Sequence, residues 1–230
     1  MSSPTTPSSS TRSKRGALII FEGLDRSGKS TQVARLAERL KREGRKVKQI
    51  GFPDRTSPTG LLINSYLTQK DTKLSDEAIH LLFSANRWEK AEEIRRGLES
   101  GTTIICDRYA FSGIAFSVIK GLSWEWCKSP DIGLPSPDLV LFLSLSPSTS
   151  LLRSGFGEER YETKEIQDKV RKVFERMGGE WKDEEGKGVW REVSAEGTIE
   201  EVEERIREGV EGLFEKSGRL EGEVGKLWVE

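Results

Sequence analysis

The sequence predicts an α/β fold in which helices flank both faces of a central parallel sheet. Short apolar runs alternate with longer helix-like segments along most of the chain, as they do in βαβ units. A glycine-rich loop at 23–30 joins a strand-like run directly to a helix-like run. The run 139–145, LVLFLSL, is almost entirely apolar, which is typical of a central strand covered on both faces.

The length favours one domain. A chain of 230 residues is long enough for one large α/β domain and short for two, and we assign the domain to residues 16–230. Residues 1–15 are rich in Ser, Thr and Pro and offer no apolar face to bury, so we expect this tail to be disordered. A transit peptide would need such a face, and organelle import is therefore not expected.

The composition excludes several classes of partner. Lys and Arg number 37 against 38 Asp and Glu, so no basic field is available for a nucleic acid or a membrane surface. Two cysteines cannot form a disulfide framework, and no apolar run approaches the roughly 20 residues that span a bilayer. We therefore expect a reduced cytoplasmic protein with no nucleic-acid and no membrane partner, for which the nucleus is a second compatible location.

In the first half of the chain, the expected elements surround the glycine-rich loop. The apolar run 17–21 predicts a strand, and the run after the loop predicts a helix over 29–42. A second strand over 46–51 leads into a loop punctuated by Pro and Gly. The next expected elements are helices near 59–68 and 75–99 and a strand over 102–106.

The second half of the chain continues the alternation. Helices near 109–120 and 123–129 precede the apolar strand 139–145, whose start Pro137 marks. The remaining expected elements are a helix near 147–153, a helix over 163–178, a short strand near 189–194 and a helix over 198–215. The last helix keeps an apolar stripe at helical spacing, which predicts packing on the sheet. The stripe consists of Ile199, Val202, Ile206, Val210 and Leu213.

Residues 23–30, GLDRSGKS, fit the pattern G-x-x-x-x-G-K-[ST] and predict a site for a nucleoside triphosphate. The glycines let several backbone N–H groups point inward, and the start of the next helix adds partial positive charge, so phosphate oxygens fit this nest. Lys29 is expected to reach the outer phosphates, and the Ser30 hydroxyl to contact Mg²⁺, which prefers oxygen ligands. The loop alone leaves kinases, switches and motor-type ATPases open.

Charged residues follow the third and second strands, at the sheet edge where ligands bind in such folds. Asp107 is expected to hold the magnesium ion, directly or through water, and Arg108 to grip a phosphate. The fourth strand runs into SLSP without an acid, so Asp107 is the better metal candidate by elimination. The alternative is a strand-end pair that satisfies helix ends. After the second strand, Arg55 is a candidate for a second phosphate contact and Phe52 for a pocket wall.

Phe83 and Arg87 are four residues apart on the helix 75–99 and share one face. Such a pair can stack on a base and donate to its carbonyl oxygen, which accepts thymine or uracil and opposes the amino group of cytosine. On spacing alone, a core Phe with a surface Arg is the alternative. We interpret His80, the single histidine, as a packed helix residue and not as a catalyst.

Five motifs occur in an order that resembles thymidylate kinases. They are residues 22–31, FPDR at 52–55, HLLFSANRW at 80–88, DRYAFSG at 107–113 and GLPSPD at 133–138. The resemblance covers residues 15–178 closely and the rest loosely, and it is greatest to the eukaryotic type, which has an arginine in the phosphate loop. The segment 193–196, which approaches the adenine in the family, departs from the family's pattern here.

The resemblance implies a three-layer P-loop fold of the nucleoside monophosphate kinase type and the phosphorylation of dTMP to dTDP. It also implies ATP as the phosphoryl donor, Mg²⁺ as the cofactor, a homodimer and a mobile lid near 153–162. The acceptor is a phosphate whose second pKa is about 6, so it is anionic at neutral pH and needs no general base. Catalysis then consists of alignment and charge neutralisation.

The resemblance further implies roles for matching residues. Arg26, Lys29 and Asp107 are the expected catalytic residues, and we favour Arg26 over the lid residue Arg160 as the transition-state arginine. The expected ATP-binding set is Gly23, Asp25, Arg26, Ser27, Gly28, Lys29, Ser30, Thr31 and Arg153. The expected dTMP-binding set is Asp25, Phe52, Pro53, Arg55, Leu67, Phe83, Arg87, Arg108, Ser112, Gly113, Phe116 and Tyr161. The expected metal ligands are Ser30 and Asp107.

Within these sets, the resemblance places each group against one part of a substrate. Asp25 is expected at the 3′-hydroxyl, and Phe116 beneath the deoxyribose, where its bulk would oppose a 2′-hydroxyl. Leu67 and Tyr161 are expected to close the dTMP pocket, and Arg153 to lie near the adenine. Phe83 would stack on thymine.

Two other functions stay open on the sequence. A deoxynucleoside kinase would phosphorylate thymidine, would need a carboxylate base and would leave Arg55 and Arg108 without a phosphate. A P-loop switch would bind a nucleotide and signal through a partner, with Phe83 and Arg87 serving only for packing.

Overall fold

The computed structural model describes residues 14–69, 71–146, 149, 160–181, 189–215 and 220–229. Strands and helices alternate along these residues, as the sequence predicts. The strands are β1 Leu18–Gly23, β2 Val47–Gly51, β3 Thr103–Asp107, β4 Leu139–Ser144 and β5 Val189–Ser194. The helices are α1 Lys29–Arg42, α2 Pro58–Thr68, α3 Asp76–Glu99, α4 Ala110–Val118, α5 Trp124–Lys128, α6 Lys164–Glu180 and α7 Ile199–Glu215, with a 3₁₀ turn at Ser129–Asp131.

The strands form one parallel sheet in the order β2-β3-β1-β4-β5. β1 lies at the centre, and Phe21 near its end is level with Asp107 of β3 on one side and Leu141 of β4 on the other. The carboxyl ends of β1 and β3 are therefore neighbours. This arrangement brings the glycine-rich loop and Asp107 to the same edge of the sheet.

Side chains of β1 alternate between two apolar layers. Leu18 and Ile20 join one cluster with residues of α3, α4 and α6, whereas Ile19 and Phe21 join a second cluster with residues of α1 and α7. The sheet is thus covered on both faces, which confirms the predicted three-layer α/β fold. The predicted stripe of α7 packs here except at Ile199, which is 48% exposed because it begins the helix at the rim of a cavity.

Several observed bounds differ from the predicted ones by one or two residues. β1 and β3 continue to Gly23 and Asp107, so the first loop glycine and the metal candidate belong to strand ends. α4 ends at Val118 instead of residue 120. The helix predicted near 147–153 lies outside the described residues except for residue 149, as do the tail 1–13 and most of the expected lid.

Helix α2 packs on the first turns of α3 and forms one wall above the sheet edge. Each of the two helices starts at a serine whose side chain accepts a backbone hydrogen bond, Ser57 from Gly60 N and Ser75 from Ala78 N. A small apolar cluster of Ile63, Tyr66, Leu67 and Ile79 joins them. Across the described parts of the chain, we find no helix with the length and apolar character required to cross a membrane.

Candidate active site

Two cavities open where β1 and β3 end. The first, which we call the α3 cavity, has a volume of about 400 Å³ and lies among α2, α3 and α4. The second, the loop cavity, has a volume of about 600 Å³ and lies between the loop 23–30 and the start of α7. Both cavities are lined by Asp25, Ser30, Asp107 and Arg108. The two cavities therefore meet at these four side chains.

The glycine-rich loop has the geometry of an anion site. Gly28 caps α1 with a φ of 89° and makes no side-chain bond to the first helical N–H groups, as suits a helix start that binds an anion. The predicted loop residues from Asp25 to Thr31 all line the loop cavity. Gly23 does not line it, but its carbonyl accepts hydrogen bonds from Lys29 and Arg108.

Lys29 is buried beneath this loop, and its Nζ donates to the carbonyl oxygen of Leu24 at 2.6 Å. Burial lowers the pKa of Lys29 to about 8, and the nearby positive charge of Arg108 acts in the same direction. A buried ammonium group lacks the hydration that would stabilise its charge. Phosphate oxygens would supply the negative charge that this site favours.

Ser30 and Asp107 form a pair of oxygen donors at the junction of the cavities. Ser30 Oγ donates to Asp107 Oδ2 at 2.6 Å. Two ligands in adjacent positions around Mg²⁺ lie about 3 Å apart, given bond lengths of about 2.1 Å, so the pair fits the ion. In the part of the chain that the structure describes, no group of three or more metal-binding side chains occurs. The remaining ligands would have to be phosphate oxygens and water, as is usual for Mg²⁺.

Arg108 is held by its backbone as well as by its side chain. Its φ is 67°, a left-handed conformation that is uncommon for a residue with a Cβ. The Arg108 N–H donates to Phe21 O at 2.8 Å, and the guanidinium donates to Gly23 O and pairs with the Asp25 carboxylate. Asp25 also accepts from Gln167 Nε2 at 2.6 Å. Gln167 is a site residue that the sequence motifs did not reveal.

Glu22 is a second residue that sequence reasoning did not assign to a role. Its side chain is fully buried and accepts hydrogen bonds from Tyr109 N at 2.9 Å, Ser112 N at 3.1 Å and Ser112 Oγ at 2.5 Å. Burial raises the pKa of Glu22, and the bond from Ser112 opposes that rise. Helix α4 has no side-chain cap from its own N-cap residue, so Glu22 supplies the cap from β1. An acid inside an otherwise apolar strand was the available signal.

Phe83 and Arg87 both line the α3 cavity. The alternative of a surface arginine is wrong, because Arg87 is only 2% exposed and pairs with the fully buried Asp131. Spacing along α3 did not reveal this partner. Gly113 lies against the guanidinium, and a Cβ at that position would come within 2.8 Å of Arg87 Nη2. A side chain at this position would therefore displace the Arg87 guanidinium.

The other predicted dTMP residues also line the α3 cavity. They are Asp25, Phe52, Pro53, Arg55, Leu67, Arg108, Ser112, Gly113, Phe116 and Tyr161. Lys120, which the sequence analysis did not select, lines it too and donates to Tyr161 Oη at 2.7 Å. His80 is fully buried, with its ring nitrogens 2.7 Å from Ser117 Oγ and 3.0 Å from Cys127 O, in agreement with its interpretation as a packed residue.

The two arginines considered for the transition state occupy different surroundings. Arg26 lines the loop cavity with a φ of 63°, and its guanidinium lies 3.3 Å from the Glu162 carboxylate. Arg160 Nε donates to Tyr66 O at 2.9 Å, and Nη2 donates to carbonyl oxygens that follow α2. Arg160 does not line either cavity. Arg153 lies outside the described residues.

The wall of the loop cavity opposite the glycine-rich loop comes from the segment between β5 and α7. Ala195, Gly197, Thr198 and Ile199 line it. Ala195 belongs to the segment 193–196, for which the sequence analysis expects a departure from the family's pattern, and it nevertheless lines the cavity. A purine attached to phosphates in the loop would have this wall within reach.

Comparisons with known proteins identify relatives of this chain. A sequence profile of the family described as thymidylate kinase matches residues 21–206. The thymidylate kinase of Schizosaccharomyces pombe is 53% identical over 173 residues, which cover 75% of this chain and 82% of that protein. Human thymidylate kinase is 44% identical over 216 residues, 94% of this chain and 98% of that protein.

A comparison with a solved structure agrees with the sequence comparisons and concerns the fold. The structure of thymidylate kinase from Candida albicans matches with a TM-score of 0.81 at 40% sequence identity, covering 94% of this chain and 99% of that chain. Profile, sequence identity and structure agree over most of the chain. This chain belongs to the thymidylate kinase family, whose members are ATP-dependent nucleoside monophosphate kinases.

Proposed function

We propose that this chain transfers the γ-phosphoryl group of ATP to dTMP, giving dTDP and ADP, at the junction of the α3 and loop cavities. The supporting observation is the shared lining of the two cavities by Asp25, Ser30, Asp107 and Arg108. An acceptor in one cavity and a donor in the other would bring their phosphates to the same place. Membership of the thymidylate kinase family supports this pair of substrates.

The α3 cavity suits a nucleoside monophosphate. Its volume of about 400 Å³ lies within the range of small-molecule sites, and its two ends differ in chemistry. The thymine would stack on Phe83 with a carbonyl oxygen at Arg87, and the phosphate would lie at Arg55 and Arg108. Phe116 would pack beneath the sugar, where its bulk opposes a 2′-hydroxyl.

The loop cavity suits the triphosphate of ATP. Backbone N–H groups of the loop and Lys29 would bind its phosphates, while Ser30 and Asp107 would hold the Mg²⁺ ion that neutralises part of their charge. Arg26 would approach the phosphoryl group in transfer and stabilise the charge on its equatorial oxygens. The acceptor phosphate is already anionic at neutral pH, so no side chain needs to remove a proton.

The test is a coupled assay of ADP release with a panel of acceptors. We expect turnover with dTMP to exceed turnover with dCMP, dGMP and dAMP by more than tenfold in kcat/KM. Equal turnover of all four would refute the assignment. Activity on thymidine but not on dTMP would identify a deoxynucleoside kinase. Calorimetry with dTMP in the absence of ATP distinguishes a kinase from a P-loop switch. A kinase with an acceptor site should release or take up heat on binding dTMP, whereas a switch should give no heat.

We also propose that the protein is a homodimer. Four apolar side chains on the packed helices α2 and α3 are exposed, namely Leu61 at 61%, Leu62 at 57%, Leu81 at 47% and Trp88 at 42%, and a contiguous apolar patch that included them would suit an interface. Light scattering should give twice the 25.9 kDa mass of one chain. Leu61→Glu combined with Leu81→Glu should shift the mass to that of a monomer, and an unchanged mass would place the interface elsewhere.

A further inference from the structure

Arg87 and Asp131 form a buried, two-point ion pair at the base end of the α3 cavity. Arg87 Nε donates to Asp131 Oδ1 at 3.1 Å, and Nη2 donates to Oδ2 at 2.6 Å. Arg87 is 2% exposed and Asp131 is fully buried. This parallel arrangement of two bonds fixes the plane of the guanidinium as well as its position.

The ion pair with Asp131 uses only some of the N–H donors of the Arg87 guanidinium. An arginine side chain has five N–H donors, of which Asp131 takes one on Nε and one on Nη2. The remaining donors lie on Nη1 and on the other side of Nη2, where both nitrogens face Gly113 across a position that a Cβ would occupy at 3.2 and 2.8 Å. Both Arg87 and Gly113 line the α3 cavity. Because the guanidinium lines the cavity and Asp131 takes only two of its donors, the donors that remain are the ones available to a ligand there.

Asp131 is itself anchored to the helix that carries Arg87. Ser84 Oγ on α3 lies 2.7 Å from Asp131 Oδ1 and 3.0 Å from Pro130 O. Trp88 Nε1, also on α3, donates to Pro130 O at 2.7 Å. The 3₁₀ turn Ser129–Asp131 is therefore tied to the same two helical turns that present Phe83 and Arg87.

Charge makes Asp131 necessary for this geometry. A guanidinium in a buried site without a counter-ion loses far more solvation energy than hydrogen bonds alone restore. Arg87 would then turn towards solvent and away from the cavity. With Asp131 beside it, the pair is neutral overall and suits a neutral carbonyl oxygen of a base.

We propose that Asp131 is a positioning residue for base recognition, which holds the Arg87 guanidinium against Gly113 so that its remaining donors face the α3 cavity. The proposal rests on the proposed function, since it takes the ligand of this cavity to be a pyrimidine nucleotide. Asp131 acts through Arg87 and does not touch the base. Its removal therefore weakens base binding and base selectivity and leaves the transfer step intact.

The main test is Asp131→Asn in the full chain, with kinetics for dTMP, dCMP and ATP. The amide keeps an oxygen for Arg87 Nε but places an NH₂ group against Nη2, which breaks the two-point contact. We expect the KM for dTMP to rise about 10–100-fold, because this change corresponds to the loss of one to two charged hydrogen bonds. The kcat and the KM for ATP should stay within about threefold of the wild-type values. The preference for dTMP over dCMP in kcat/KM should fall about tenfold.

Trp88→Phe is the matched control, because it removes a hydrogen bond to the same turn and leaves Arg87 and Asp131 paired. We expect a lower Tm with an unchanged KM for dTMP and unchanged base preference. An equal loss of base preference in Trp88→Phe and Asp131→Asn would reduce Asp131 to a structural role and overturn the proposal.

Coupling to Arg87 gives a second, independent readout. In Arg87→Met/Asp131→Asn both charges are absent, so the double variant should fold even where a single variant does not. Its KM for dTMP should equal that of Arg87→Met, because Asp131 acts only through Arg87. A further rise in the KM upon adding Asp131→Asn to Arg87→Met would overturn the proposal.

Two further measurements keep the inference separate from protein folding and from the proposed function. If Asp131→Asn does not fold, Ser84→Ala replaces it as the test. This variant removes a hydrogen bond to Asp131 without changing any charge, and it should raise the KM for dTMP about 2–5-fold. An unchanged KM in Ser84→Ala would contradict the inference. The wild-type preference for dTMP tests the proposed function by itself. A wild type without that preference would refute the function, whereas a selective wild type with an equally selective Asp131→Asn would refute only the role of Asp131.

Discussion

Ser30 Oγ donates a hydrogen bond of 2.6 Å to Asp107 Oδ2, although 77 positions separate the two residues in the sequence. The sheet explains the contact. β1 and β3 are parallel neighbours with Phe21 level with Asp107, so the loop that leaves β1 passes over the end of β3. The fold thereby places the two oxygen groups that we propose as Mg²⁺ ligands where the two cavities meet.

Asp107→Asn is predicted to weaken the use of Mg²⁺. The amide nitrogen is not a metal ligand, so the Mg²⁺ concentration that gives half-maximal turnover should rise about 10–100-fold whether Asp107 binds directly or through water. Titration of Mg²⁺ at fixed ATP measures this, and Mn²⁺ binding by electron paramagnetic resonance gives a readout other than turnover. Asp71→Asn, at an exposed position outside both cavities, is the control. An unchanged metal requirement in Asp107→Asn would exclude the role.

Lys29 is predicted to make ATP binding sensitive to alkaline pH. Its pKa is lowered to about 8 by burial and by Arg108, whereas bound phosphates would favour the charged form. ATP binding above pH 8 must then take up a proton, and affinity should fall with rising pH by at most about tenfold per unit. Calorimetry at pH 9 in two buffers of different ionisation enthalpy measures the proton. Lys29→Met should bind ATP more weakly and lose the pH slope; a slope that persists would point to another group.

Folding stability should respond to Lys29 with the opposite sign. The folded pKa of about 8 lies below the ordinary value of 10.5, so the unfolded chain binds more protons between these two values. The contribution of Lys29 to the free energy of unfolding therefore rises as pH increases from 8 to 10.5 and is lost as pH falls through 8. Urea unfolding of wild type and Lys29→Met across this pH range measures the contribution of Lys29 to the free energy of unfolding. A difference that is flat in pH would show that the Lys29 pKa is not lowered.

Arg26→Ala is predicted to lower kcat by about two to four decades and leave the Kd for dTMP within about threefold, because the arginine acts on charge that develops in the transition state. Rapid-quench single turnovers and calorimetry measure the two quantities. Arg160 binds carbonyl oxygens near the end of α2, so Arg160→Ala should mainly lower the Tm. If turnover survives in Arg26→Ala and collapses in Arg160→Ala, the two assignments must be exchanged.

The parts of the site that follow strand ends could be predicted from the sequence. The loop after β1 and Asp107 at the end of β3 are recognisable because their motifs directly follow apolar runs, and parallel strands bring their carboxyl ends together. The residues proposed to bind dTMP were selected through the ordered motifs of a known family, and not through helical spacing. On spacing alone, Arg87 would have been placed at the surface, since nothing in α3 indicates a partner 44 residues away.

The unpredicted residues share one property, which is that they act on the site from another element. Gln167 of α6 reaches Asp25 across 142 positions, and Asp131 reaches Arg87 from the turn after α5. Local patterns report the face of a helix or strand, but a hydrogen bond between distant elements depends on their packing. Glu22 is the clearest case, because a buried acid in β1 becomes meaningful only when α4 starts beside it.

Glu22 is predicted to position Arg108 through the start of α4. Its carboxylate accepts the N–H groups of Tyr109 and Ser112, and Tyr109 directly follows Arg108, whose φ of 67° needs such support. Glu22→Ala should leave these donors unpaired, which should cost about 1–3 kcal/mol of the free energy of unfolding for each donor.

Glu22→Ala should also raise the KM for dTMP about tenfold or more, because a displaced Arg108 loses a charge-assisted bond of about 1.5–3 kcal/mol. Glu22→Gln retains an acceptor oxygen and should recover most of both losses. Equal KM values for dTMP in Glu22→Ala and wild type would refute the positioning role.

The pH dependence of Glu22→Gln gives a check that packing alone would not produce. Burial raises the pKa of Glu22 above its ordinary value of 4.5, so the folded state holds the proton more tightly than the unfolded chain does. Its contribution to stability is complete below pH 4.5 and declines as pH rises through the raised pKa. The glutamine does not titrate, and the variant should therefore gain free energy of unfolding relative to wild type as the pH rises above 4.5. Urea unfolding at several pH values measures the difference, and a constant or opposite trend would show that the pKa of Glu22 is not raised by burial.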